Sequence, residues 1–198
     1  MRNLIKTFIV MLMLSVSHAA IAGDFEDGVA AAHKGDFATA LRLWTPLAEQ
    51  GNASAQYNLG LMYANGDGLT QDYKTAVKWH TLAAEQGDAE AQFNLGVSYA
   101  KGQGVAQDHN IAVKWYTLAA EQGNAEAQLN LGLMYAAGQG VALDNVKAHM
   151  WSSIAAIRGF SDAIEVRELV GKKMIPAQIA QAQEAASLCI KQNFKNCD

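Results

Sequence analysis

Proline is almost missing from this chain: Pro46 and Pro176 are the only two in 198 residues. Strand-like alternation of apolar and polar residues is scarce as well, while alanine is abundant, so the composition argues against a β architecture and for helices. Basic charge is not in excess either. Fifteen Lys and Arg stand against nineteen Asp and Glu, a formal net charge of −4. An acidic chain without a basic patch repels phosphate backbones, which excludes nucleic acid as a partner class. Ligand-forming and nucleophile motifs are lacking too. Beyond the N-terminal segment the histidines are His33, His80, His109 and His149; none forms a His-x-x-x-His pair, and no Cys lies near any of them. Neither a Gly-x-Ser-x-Gly nor a phosphate-loop motif occurs. No metal, no cofactor and no catalysis are expected. The stretch "NGDGLTQD" faintly resembles a calcium loop through Asp67 and Asp72, but its two later copies carry Gln103 and Gln139 in place of Asp67. Loop closure is therefore the better reading.

Cysteine is scarce and confined to one end, as Cys189 and Cys197. Eight residues along one continuous helix would separate their Cα atoms by about 12 Å. A disulfide needs roughly 4.4–6.8 Å. A bridge therefore requires the helix to stop near Cys189 and the chain to turn back, which Asn193 and Asn196 would permit. Two free thiols are the alternative, and an exported chain with an even cysteine count favours the bridge. Export is what residues 1–22 suggest. Arg2 and Lys6 precede an apolar run from Phe8 to Leu14, and Ala20-Ile21-Ala22 forms a small-x-small cleavage site. That is the order of a secretory signal peptide. The apolar run is too short for the roughly 20 residues of a membrane helix. With no Cys nearby, a lipid-anchored N-terminus is not expected. Residues 1–22 thus read as a signal peptide, with a periplasmic or secreted protein and no integral membrane segment left after cleavage.

What the chain does have is a repeat. Ala48–Ala83 aligns with Ala84–Ala119 at 23 of 36 positions without a gap, and Ala120–Ala155 follows in the same frame. A period of this length marks stacked supersecondary units that cannot bury their apolar faces singly. In each unit a first helix carries Ala55, Leu59 and Tyr63 on one face. Gly60 in its middle costs about 1 kcal/mol relative to Ala, so a neighbouring helix is expected to approach closely there, as at Gly96 and Gly132. Gly66, Gly102 and Gly138 suit left-handed C-caps. Leu69, Val105 and Val141 tuck back from the loop. Asp72, Asp108 and Asp144 stand as N-caps of a second helix. That helix carries Ala76, Trp79 and Ala83, and Trp79, Trp115 and Trp151 are assigned to the core.

Together Ala55, Leu59, Gly60, Tyr63, Gly66, Gly68, Asp72, Ala76, Trp79, Ala83, Ala84 and Gly87 resemble the Sel1-like repeat, a relative of the tetratricopeptide repeat. The resemblance implies an all-α fold, an α-α superhelix (solenoid) of Sel1-like helix-loop-helix repeats with a C-terminal capping helix. Residues 23–47 read as a degenerate N-terminal capping repeat. There Leu43 takes the Trp79 position, with Trp44 one place on. Residues 48–160 hold three Sel1-like repeats, and residues 161–198 are C-terminal capping helices. In this last part Arg167, Glu168 and Gly171 replace Leu, Gly and Tyr, and a final helix opens at Pro176.

Asn58, Asn94 and Asn130 precede the core Leu by one place in each unit, although Asn is a mediocre residue inside a helix. By the resemblance, first helices line the concave side, which would set the three Asn beside Tyr57, Phe93 and Leu129. An Asn amide can bond a peptide backbone with both donor and acceptor. Two readings stand: a peptide-binding groove, or Asn side chains that hold the stack together. The resemblance further implies a protein or peptide partner in the cell envelope, with the chain as scaffold or regulator. Cysteine-rich members of the family are linked to β-lactam binding and hydrolysis, which makes a cell-wall-fragment or β-lactam binder with weak hydrolase activity the rival class. Those members carry a Cys pair in each repeat; these repeats have none, nor is there a Ser-x-x-Lys motif. Cleavage after Ala22 predicts a mature N-terminus at Gly23. Intact-mass measurement on envelope-fraction protein checks it, and recovery of the uncleaved chain alone would refute it.

Overall fold

The computed structural model describes residues 23–195 and Cys197. The signal-peptide reading of residues 1–22 and the turn role of Asn196 fall outside the described residues. Within them the regular structure is helical, without a strand. The helices are α1 (23–33), α2 (Phe37–Glu49), α3 (Ala53–Asn65), α4 (Tyr73–Glu85), α5 (Ala89–Lys101), α6 (His109–Ala120), α7 (Ala125–Ala137), α8 (Asn145–Ile157), α9 (Ser161–Gly171) and α10 (Pro176–Lys191). They group into two compact units that meet in sequence at Trp79 and His80.

The helix boundaries follow from the polar groups that bound them. First helices begin at Asn52, Asp88 and Asn124, whose side chains accept the N–H of Ala55, Ala91 and Ala127. They end at Gly66, Gly102 and Gly138, all left-handed. The backbone needs a positive φ there, which glycine adopts without strain. Second helices open at the expected aspartates. Asp72 accepts from the backbone N–H of Lys74 and Thr75 and from the Thr75 hydroxyl. Asp108 accepts from Asn110 and Ile111, and Asp144 from Lys147. The loops between are closed by Gln71 and Gln107, whose amides donate to the carbonyls of Ala64 and Ala100.

In the first unit the core is built from Ala31, Ala40, Trp44, Leu47, Ala48, Ala55, Leu59 and Met62, with Trp79 packed against it. Gly28 of α1 has no side chain because the Trp44 ring fills that space; a Cβ would collide with its Nε1. The Trp44 indole donates to Phe25 O at 3.2 Å. In the second unit Gly96 faces Tyr116, where a Cβ would lie 2.6 Å from the ring. Gly132 faces Ser152 at the same distance. The neighbour expected at Gly96 and Gly132 is thus present, and it is the residue one place after the tryptophan frame. Trp44, His80, Tyr116 and Ser152 share that frame and are all buried. Burial pushes the Tyr116 hydroxyl up to about 12, because the ionised phenolate would lose its hydration.

This corrects the tryptophan assignment. Trp151 is fully buried, but Trp79 and Trp115 are half-buried. Around α8 the helices α7, α9 and α10 all pack, and α10 brings Ala182 and Ala186 into the core that holds Trp151. The sequence pattern also gave little weight to the second loop glycine. Gly140 (φ +69°) sits against the backbone of His109, where any Cβ would meet the carbonyl of that residue.

Two stability tests follow. Helix propensity alone makes Gly96→Ala stabilising by about 1 kcal/mol, whereas the contact with Tyr116 predicts a net loss of about 1–3 kcal/mol from overpacking. The sign of the shift in urea unfolding decides. Trp151→Ala should cost about 3–5 kcal/mol and Trp115→Ala clearly less; equal losses would overturn the difference in burial.

Candidate functional site

The six residues expected to line a groove all lie on first helices and are all half-buried. Tyr57 and Asn58 are on α3, in the first unit. Phe93 and Asn94 are on α5, and Leu129 and Asn130 on α7, both in the second unit. One place away on each helix is a buried leucine, Leu59, Leu95 or Leu131. A step of 100° per residue turns the Asn from that core contact towards the rim.

The three amides do not behave alike. Asn58 Nδ2 donates to Ser54 O at 2.8 Å, one turn back in its own helix. Asn130 Nδ2 donates to Glu126 O at 3.0 Å in the same way. Asn94 makes no side-chain hydrogen bond among the described residues; its backbone carbonyl accepts from the Ser98 hydroxyl at 2.9 Å. Each local bond uses one amide N–H and leaves the Asn carbonyl oxygen as an acceptor. The neighbours differ as well. Phe93 is tilted against Tyr116 with ring centroids 6.0 Å apart, and it packs on the core of the second unit. Phe93 therefore carries packing that the groove reading did not include.

A set of polar residues that the sequence reading overlooked does the structural work first assigned as one option to the Asn. Gln56, Gln92 and Gln128 are buried, and each donates its amide to the carbonyl eight residues back, Ala48, Ala84 or Ala120, at 2.9–3.1 Å. These carbonyls close the preceding second helix, so each bond ties one helix pair to the next. The signal was available: a glutamine recurs unchanged beside Ala55, Ala91 and Ala127 on the apolar side. In the second unit two further bonds link α5 to the start of α7. Gln122 Nε2 donates to Gln92 Oε1 at 2.8 Å, and Asn124 Nδ2 to Glu90 Oε1 at 3.0 Å. They link the N-terminal ends of α5 and α7. Among the described residues no cluster of three or more His, Cys, Asp or Glu is placed to hold a metal ion. No helix there is long and apolar enough to cross a membrane.

At the C-terminus α10 stops at Lys191. Asn193 and Phe194, at φ of +52° and +64°, then reverse the chain. The reversal brings the Cα atoms of Cys189 and Cys197 to 5.0 Å, within disulfide reach. The turn uses Asn193, as expected, together with Phe194, which the sequence reading did not single out.

Comparison with known proteins places this architecture. The family description "Sel1 repeat" matches residues 53–88, 89–124 and 125–160. No curated protein matches the sequence. Among solved structures, the chain is similar to a Sel1 repeat protein from Oxalobacter formigenes, with 41% identity and a TM-score of 0.59 over 65% of this chain and 96% of that one. It is also similar to a protective antigen of uropathogenic Escherichia coli strains that displays an SLR fold, with 28% identity and a TM-score of 0.56. That match covers 95% of this chain but 49% of the antigen. Three in-frame matches over more than half of the chain make the assignment: it is an all-α solenoid-class protein that belongs to the Sel1 repeat family.

Proposed function

We propose that this protein binds an extended protein or peptide segment along the first-helix face of the second unit that carries Asn94 and Asn130, and that it does so outside the cytoplasm as a scaffold or regulator in the cell envelope. Sel1 repeat proteins are generally protein-interaction scaffolds and typically not enzymes, and stacked repeats offer extended surfaces for that purpose. The observation that carries the reading is Asn94, a half-buried amide without a side-chain bond inside a helix, while the neighbouring Gln92 ties the repeats together. Scaffold and groove roles are thus divided between adjacent residues. An Asn that is not needed for the stack is free to pair with both the N–H and the C=O of a ligand backbone. The export part of the reading rests on the N-terminal segment and on a cysteine pair able to bridge.

Affinity for a partner captured by crosslinking from envelope extract should fall by about 1–3 kcal/mol in Asn94→Ala, with the melting temperature unchanged. Gln128→Ala should do the reverse, lowering the melting temperature while binding per folded molecule persists. Lost stability with unaltered affinity in Asn94→Ala would end the groove reading. The bridge is tested separately. Protein from its native compartment should show no free thiol under denaturing conditions before reduction and two after it; the bridge should contribute about 2–3 kcal/mol.

A further inference from the structure

Between α8, α9 and α10 the second unit holds an open pocket of about 700 Å³. That volume lies in the range of small-ligand sites. Its wall is made where the repeat pattern changes character. The position of Val77 and Val113, both buried, is taken by His149. The position of the buried Leu59, Leu95 and Leu131 is taken by Arg167, and that of Tyr63, Tyr99 and Tyr135 by Gly171. A repeat kept for packing alone would have an apolar side chain at the first two positions and a bulky one at the third. Here two nitrogen-bearing groups, His149 and Arg167, line the wall instead, and Gly171 lies against His149.

The chemistry of the wall has a definite sign. His149 is 5% exposed, and its Nδ1 lies 3.3 Å from the Ser153 hydroxyl. Its other edge borders Gly171, where even a Cβ would stay 3.8 Å from Nε2. Burial first, and the Arg167 charge second, hold the His149 imidazole below its usual value. Lys191 of α10 adds a second cation, and none of the lining residues is acidic. Among the described residues Arg167 has no carboxylate partner. Beside these groups stand Ile157, 71% exposed, and Ile190. A surface cap would meet its need for solubility with charges facing outward. It has no need of a buried imidazole, a cation at a core position and bare isoleucine together.

We propose that this pocket binds a carboxylate bearing a short branched aliphatic group, with Arg167 and Lys191 meeting the carboxylate, the Ser153 hydroxyl beside it, and Ile157 and Ile190 covering the aliphatic part. Such a group occurs at the C-terminus of a peptide ending in an aliphatic residue and in free short-chain acids. Charge-assisted bonds to Arg favour the planar carboxylate over a neutral amide.

Isothermal titration calorimetry on the intact protein tests this with three probes: N-acetyl-L-valine, N-acetyl-L-valinamide and 3-methylbutanoate. N-acetyl-L-valine should bind at least about tenfold more tightly than its amide. Binding of N-acetyl-L-valine without 3-methylbutanoate identifies a chain terminus as the source; binding of both identifies the acid itself. Arg167→Leu restores the residue type of the pattern, so it should keep the melting temperature and lose at least about tenfold in affinity. Lys191→Gln, at an exposed position, gives a second reading independent of packing and should weaken binding in the same direction. Equal binding of acid and amide, no binding of either acid at millimolar concentration, or full affinity in both variants would overturn the proposal.

Discussion

The missing side chain of one glycine in a first helix is the constraint on which the packing of α1 on α2, α5 on α6 and α7 on α8 turns. Gly28, Gly96 and Gly132 give up helix propensity so that a second helix can seat a side chain directly against the backbone. The seated group ranges from Trp44 through Tyr116 to Ser152, so shape at this position is not fixed by the repeat. What is fixed is the absence opposite it. A closely packed interior leaves no room for an added methyl group, and a close approach sets how far apart the two helices lie. Leu95 and Leu131, one place before Gly96 and Gly132, are then carried into the core as a consequence.

The polar residues are arranged around that packing according to what would otherwise be left unpaired. Helix ends expose N–H and C=O groups, and the repeat answers with Asn or Asp before each first helix, Asp before each second one, and left-handed glycine after each first helix. The buried glutamines extend this logic between pairs, because each satisfies a carbonyl at the end of the previous second helix. Asn58, Asn94 and Asn130 stand outside this scheme. Two of the side chains bond their own helix and the third, that of Asn94, makes no hydrogen bond among the described residues, so the stack does not account for them.

The C-terminal part shows how a repeat ends. Core positions filled by Val, Leu and Tyr in the regular units become His149, Arg167 and Gly171, while α10 covers the second helix α8 and buries Trp151 completely. The same frame therefore yields a sealed interior in one place and a lined pocket in another. Cys189 and Cys197 lie just beyond, at a chain reversal that brings their backbones within reach of each other.

Much of this was legible in the amino acids. The 36-residue period, the capping aspartates, the glycine C-caps and the need for close approach at a mid-helix glycine are local requirements of backbone and hydrogen bonding, and each leaves its mark at a fixed place in the repeat. The family follows from them. The neighbouring residue that meets each glycine was not legible, because Trp115 and Tyr116 are adjacent, large and aromatic, and only helix rotation decides which one is buried. The glutamine bonds were missed for a similar reason: a buried amide and a solvated one have the same letter, and only the carbonyl brought opposite by the fold distinguishes them. The pocket depends on two replacements, His149 on α8 and Arg167 on α9, and on α10 packing beside them. The sequence determined the units and their joints; the tertiary structure decided which side chains met, since burial is a property of neighbours and not of residues.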